Sequence, residues 1–411
     1  MNNASTREGK MANSLRAVVN GADGQAVLMR GDTIEAVGAI DIPADTAVID
    51  AKGALIAPGI VDLGVFAIDK PAFRAGGIVR AALMPDQSRP LDDPGLIQRA
   101  ADSGKPDLWV HPIAAATRGL AGLDLAEFAT MRDSGALAVA TGRDWIADSG
   151  VMHRVLAYAA PLGLTVIVHA EDRGLTGNAV ATAGETATRL GLASAPAVAE
   201  AMAIARDLAL VEQTGAAIHF RQVTTAAGFA LVRAAKARGL PVTCGITPAH
   251  LYLSDNAVSD FRTFARLSPP LRAESDRQAA LAALADGTID ILCSGHDPRG
   301  PEDKRLPFAD AAPGMAGAET LLALGLGLVR DDHISLPRLF EMLAANPARI
   351  LGLETGIIAA GAPADLILVE PDTPWRIDTA RMAARAGNTP FDGMPVQGRV
   401  ALMIKGGQPI G

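Results

Sequence analysis

Cysteine is scarce in this 411-residue chain: Cys244 and Cys293 are the only two. Two thiols exclude a disulfide scaffold and a cysteine-rich zinc site, and they fit a reducing compartment such as the cytoplasm. Aromatic residues make up only 4%, which leaves no stacking platform for single-stranded nucleic acid. Positive charge is short as well. The 37 Lys+Arg against 45 Asp+Glu give a net charge of −8, the wrong sign for a nucleic-acid partner. No apolar run approaches the roughly 18 residues of a membrane span. The most apolar helical stretch, Leu321 to Val329, lies between Glu319 and Arg330. Apolar residues are plentiful at 49%, enough for a large core and too many for a disordered chain. Residues 1–13 are polar and mixed in charge, and read as a disordered leader without a secretory signal.

The pattern along the chain changes twice. Residues 14–56 read as short strands, Ala17–Val19, Ala26–Met29, Thr33–Val37 and Ala47–Ile49, broken by Gly21, Asp23-Gly24, Gly31-Asp32 and Pro43. That is a small antiparallel β unit. The C-terminal end repeats it with Asp365–Val369 and Val396–Ile404. Neither segment makes a stable sheet alone, so 14–56 plus 357–411 are expected to form one β-sandwich domain. Between them, over 57–356, apolar strands alternate with helices. The strands are Ile60–Phe66, Ile78–Met84, Asp107–His111, Ala136–Thr141, Thr165–His169, Ala217–Val223, Val242–Thr247 and Ile289–Ser294. Alternation implies right-handed crossovers and a parallel sheet, and eight strands allow an α/β fold of the (β/α)8 TIM-barrel type. Ser149 is the expected cap of the helix through Ala160, and Asn346-Pro347 is expected to end the helix Leu336–Ala345.

A barrel does its chemistry at the C-terminal ends of its strands. There the sequence places Asp62-Leu63-Gly64-Val65-Phe66, Thr141-Gly142-Arg143, His169-Ala170-Glu171-Asp172, Gln222-Val223-Thr224-Thr225 and Ser294-Gly295-His296-Asp297. Several runs resemble known motifs, in order. They are Ala57-Pro58-Gly59-Ile60-Val61-Asp62, His169-Ala170-Glu171-Asp172, Thr247-Pro248-Ala249-His250-Leu251, Pro269-Pro270-Leu271-Arg272, Gly317-Ala318-Glu319-Thr320, Asn346-Pro347-Ala348, Gly361-Ala362-Pro363-Ala364-Asp365 and Asn388-Thr389-Pro390-Phe391. Together they resemble the dihydroorotases, cyclic amidohydrolases of pyrimidine biosynthesis.

The resemblance implies a zinc centre. It would use two histidines spaced His-x-His on strand one, an acidic or carboxylated group at the end of strand four, histidines closing strands five and six, and an aspartate base after strand eight. The matching positions here are Gly64, Phe66, Thr141, His169, Gln222 and Gly295. Only His169 can ligate, and one imidazole cannot hold a zinc ion. The substrate positions depart too: Ile68 replaces an arginine, Asp86 and Ser268 replace asparagines, Arg299 replaces a histidine, and Pro313-Gly314 keeps only the glycine. Losing acid–base help costs ~10²–10⁴-fold. Losing the metal removes the hydroxide available at neutral pH as well.

These departures resemble those of the silent dihydroorotase homologues that assemble with the catalytic subunit of aspartate carbamoyltransferase. The expectation is a cytoplasmic pseudoenzyme and assembly subunit with no cofactor; self-association is left open. The competing expectation is a zinc-dependent cyclic amidohydrolase with an altered site recruited from Glu171, Asp172, His296 and Asp297. His219, three residues before Gln222 and of opposite parity, is expected to face the helices.

Overall fold

The structure, a computed structural model, describes residues 14–410; the expected leader lies outside them. Each of the eight expected parallel strands forms. Ile60–Val65, Ile78–Leu83 and Trp109–Pro112 make a three-stranded parallel sheet. Ala114–Ala115, Ala138–Ala140, Thr165–Val168, Ile218–Phe220, Val242–Ile246 and Ile291–Leu292 make a second, of six. The chain runs on past the expected end of the third strand at His111 into Ala114–Ala115 of the second sheet, with Ile113 between the two segments donating its N–H to Leu83 O at 2.9 Å. At the far margins the Phe66 N–H donates to His296 O at 2.8 Å, tying the first strand to the segment after the last.

Alternation divides the strand residues between two apolar layers. Ile60, Ile78, Val166, Val168, Ile218, Phe220 and Cys244 pack against helices such as Ser149–Ala159, Val198–Thr214 and Ala226–Ala237. Val61, Leu63, Ala82, Ala138, Ala140, Ile167 and Cys293 pack among the strands themselves. The ladder pairs Ile167 with His219 and His219 with Thr243. His219 therefore shares the inner side with Ile167, contrary to the expectation that it faces the helices. Its neighbours Ile218 and Phe220 hold the helix side, and its Nδ1 meets Thr243 Oγ1 at 2.9 Å.

Three local readings are corrected. The cap of the helix Ser149–Ala159 is Asp148, whose carboxylate accepts from Val151 N–H at 2.8 Å; Ser149 is already the first helical residue. The chain also continues helically through Asn346-Pro347. Leu336–Phe340 passes into a wider π turn, Glu341–Ala345, and then into Asn346–Ile350. The π turn accommodates a proline that lacks an N–H for the regular ladder. Finally, the N-terminal sheet is mixed rather than antiparallel, because Leu15–Val19 pairs antiparallel with Ala26–Arg30 but parallel with Ala47–Asp50.

Strands from the two chain ends pair with each other. Leu366–Arg376 pairs antiparallel with both Pro395–Lys405 and Leu55–Pro58. Val18, Val27 and Ile34 of the N-terminal sheet share one apolar core with Ile56, Leu366, Leu368 and Ile404 of the other.

Candidate functional site

The strand ends converge on a polar mouth, and the first strand is irregular there. Its ladder shifts register between Leu63 and Val65, and Gly64 has φ 103°. That conformation favours glycine. The space a side chain would take at Gly64 is bordered by Arg221, whose Cδ is 3.5 Å from a Cβ built there. Arg221 follows the strand Ile218–Phe220 and is inward by the same parity as His219. It is almost fully buried. Its guanidinium lies over the Phe66 ring at 5.0 Å, and that of Arg143 lies over the same ring at 3.8 Å. Phe66 is thus a platform for two cations.

His169 is fixed on both nitrogens. Arg221 Nη2 lies 3.2 Å from Nδ1, and Glu171 Oε2 lies 3.2 Å from Nε2. A guanidinium can only donate, so Nδ1 accepts and the ring proton belongs on Nε2, pointing at the carboxylate. Glu171 in turn accepts from Arg272 Nη2 at 2.6 Å. Burial raises the Glu171 pKa, but the His169 hydrogen bond and the Arg272 charge outweigh it and hold the group down at about 2. Arg272 also donates from Nε to Thr224 Oγ1 at 2.9 Å and approaches Glu200 Oε2 at 3.5 Å. Glu200 is fully buried and accepts from the N–H groups of Thr224 and Thr225. This buried array locks the ends of strands five and six together.

The remaining expected positions scatter. Thr141 Oγ1 accepts from His169 N–H at 3.2 Å. Gln222 Oε1 faces Arg221 Nη1 at 3.5 Å. Asp297 accepts from Arg143 at 2.7 Å and Arg299 at 3.0 Å. Asp86 accepts from the Arg143 N–H at 2.8 Å, and burial pushes its pKa up. Gly295, Ser268, Pro313 and Gly314 line the mouth, whereas Ile68 lies in a separate surface cleft with Gln87 and Arg89. The expected replacement cluster does not assemble. Asp172 caps the short helix Arg173–Thr176 by accepting from Gly174 N–H. His296 is fully buried, edge-on to Phe73 and 3.6 Å from Asp69, with Nδ1 accepting from Ala318 N–H. Only Glu171 and Asp297 reach the mouth, each already serving as a counter-ion to arginine.

Sequence reasoning missed Arg221, Arg266 and Glu200, and placed Arg143 at the strand end without a role. Arg221 had a usable signal, since it stands beside Gln222 on a strand whose parity turns it inward.

The metal implied by the resemblance does not fit these residues. Each ligand must offer a free lone pair. Gly64, Phe66 and Gly295 have none to offer, and the Nδ1 lone pair of His169 accepts from a guanidinium. A zinc ion there would also sit beside the Arg221 charge in a medium that screens poorly. Among the described residues no three His, Cys, Asp or Glu side chains converge to hold an ion. The space is small: an inner pocket of about 30 Å³ between Phe66, Arg221 and Gln222 adjoins an outer cleft of about 160 Å³ lined by Arg143, His169, Glu171 and Arg266.

The amidohydrolase family model matches residues 111–410. A protein named dihydroorotase from Geobacter sp. (strain M21) is 35% identical over 382 residues, with 90% of each chain covered. One so named from Anaeromyxobacter dehalogenans (strain 2CP-C) is 37% identical over 409 residues, with 94% of each covered. Among solved structures, the L-hydantoinase of Arthrobacter aurescens superposes with a TM-score of 0.85 at 24% identity, covering 96% of this chain and 95% of that one. The dihydropyrimidinase of Brevibacillus agri NCHU1002 does so with a TM-score of 0.81 at 22% identity, covering 96% and 95%. Those two establish the fold, an α/β architecture of TIM-barrel type. The family match and the dihydroorotase identities establish the lineage: this chain belongs to the amidohydrolase family, among the dihydroorotases.

Proposed function

We propose that this chain is a metal-free dihydroorotase homologue of pyrimidine biosynthesis. In this reading it serves in the cytoplasm as an assembly subunit for the catalytic subunit of aspartate carbamoyltransferase. The proposed scaffold is a closed eight-stranded barrel over 57–356 that carries a β-sandwich built from 14–56 and 357–411. The observation that carries the reading is the Arg221 guanidinium on His169 Nδ1. The last ligand of the family's centre has its lone pair engaged, and the neighbouring positions supply only the Thr141 hydroxyl, which accepts from His169 N–H, and the Gln222 amide oxygen, which faces Arg221. Catalysis of cyclic-amide hydrolysis then lacks both its hydroxide source and its aspartate base. A barrel emptied of chemistry keeps a rigid outer surface for assembly.

The names of the relatives favour a second reading, a working zinc-dependent amidohydrolase with an altered site. Co-expression with the host's aspartate carbamoyltransferase separates the two. The first predicts a complex of defined size containing both chains, with transferase activity changed relative to the free subunit. Separate elution with transferase activity unaltered rejects it. Conversion of dihydroorotate that depends on added zinc supports the second.

A further inference from the structure

We infer that the inner pocket of the mouth is a binding site for a small carboxylate, taken directly on the guanidinium of Arg221. The inference goes beyond the assembly role and does not depend on it. It starts from a charge without a counter-ion. Arg221 is 4% exposed, and long charged side chains are rarely that buried unless paired. Yet among the described residues no carboxylate comes within the 4.0 Å of an ion pair. Its neighbours are neutral: His169 Nδ1 at 3.2 Å and the Gln222 amide oxygen at 3.5 Å. Its Nε is buried with no hydrogen-bond partner. The nearby acids are committed elsewhere. Asp297 is held by Arg143 and Arg299, and Glu171 is bound to His169 and Arg272; Asp86 accepts from the Arg143 backbone through Oδ1, and its Oδ2, though unpartnered, lies beyond ion-pair distance of Arg221.

The surroundings select the ligand. The pocket at Arg221 is the smaller of two adjoining spaces, and the outer cleft beside it leaves room for the rest of a small molecule. Arg143 and Arg266 border that cleft, and the Arg266 Nε is a second buried donor without a partner. A planar carboxylate matches the guanidinium fork in two parallel hydrogen bonds. The Phe66 ring beneath forms an apolar floor and disfavours a bulkier tetrahedral anion.

The test is thermal unfolding of the full chain in malonate at constant ionic strength, with sodium chloride and inorganic phosphate as the other arms. Malonate should raise Tm by roughly 2–4 °C, rising with the logarithm of concentration as for a ligand of the native state. Chloride and phosphate should not. Arg221→Gln should abolish the malonate response. Gln222→Glu supplies an internal carboxylate beside Arg221 at nearly unchanged shape. It should raise the basal Tm and also abolish the response, which keeps the test decisive if Arg221→Gln fails to fold. An absent malonate response in the parent chain overturns the inference. So does an equal response to phosphate, or a malonate response that survives in Gln222→Glu.

Discussion

Arg221 Nη2 and His169 Nδ1 are 3.2 Å apart, a guanidinium donating to the one lone pair that a metal could have used. The family's electrophile was a bound cation, and this chain sets a covalently tethered cation close to the same place. A guanidinium cannot lower the pKa of a water as zinc does, because it has no open coordination position. The mouth keeps its positive charge and loses its hydroxide.

Restoring the lost aspartate base should not restore activity. Gly295 has φ 57°, and a Cβ there would lie 2.9 Å from Thr247 Cγ2. Left-handed backbone costs an ordinary residue roughly 1–2 kcal/mol, and the contact adds to it. Gly295→Asp is expected to lower the unfolding free energy by about 2–3 kcal/mol in a urea titration, with no gain in dihydroorotate turnover.

The arginine between strands five and six should matter more to stability than any residue of the mouth. Arg272 bonds Glu171 at 2.6 Å and Thr224 at 2.9 Å and lies 3.5 Å from fully buried Glu200. Removing one partner of a buried ion pair strands the other charge, which typically costs about 3–5 kcal/mol. Arg272→Met should show a loss of that size by chemical denaturation. A loss under about 1 kcal/mol would mean that the array is not a structural lock.

Acid should destabilise the chain well above the carboxylate range. Burial drives the His111 and His219 pKa values down to about 3 and the His250 pKa down to about 4. Their unfolded forms take up protons near pH 6.5. Between these limits the three histidines bind three more protons in the unfolded chain than in the native one, which lowers stability as pH falls by about 4 kcal/mol per pH unit; Asp207, pushed up to about 6 by burial, opposes them below that pH by about one proton. Glu171 extends the loss with the same sign between about pH 4.5 and 2, because its native pKa lies below its unfolded one. Unfolding free energies across pH 7 to 4.5 should show the net fall, and His219→Gln should reduce the slope by about 1.4 kcal/mol per pH unit.

Much of this fold is written in the motifs that carry structural tasks. Asp62 accepts from the N–H and hydroxyl of Ser294, across the first and last strands. Asn388 bonds Gly314 O and Arg299 N–H at the mouth, and Asp365 pairs with Arg80 at 2.6 Å. Gly317 and Gly76 leave no room for a Cβ, with backbone oxygens 2.0 and 2.2 Å from where it would stand. Asp62, Gly317, Asp365 and Asn388 stand in the runs that carry the resemblance, and packing requires them. The absent ligands were readable for the converse reason: glycine and phenylalanine have no donor wherever they are placed. What pattern could not supply was the replacement. Arg221 gains its meaning from Phe66, His169 and Gly64, which are distant in sequence. The committed roles of Asp172 and His296 likewise depend on partners that adjacency does not name.

The central claim, that this mouth excludes the family's metal, is tested most directly by dialysing the purified chain against zinc, removing free ion, and counting zinc per chain alongside dihydroorotate turnover. The account predicts zinc far below one ion per chain and no turnover above the uncatalysed rate. One tightly held zinc per chain, with turnover that disappears on chelation and returns with zinc, would contradict it.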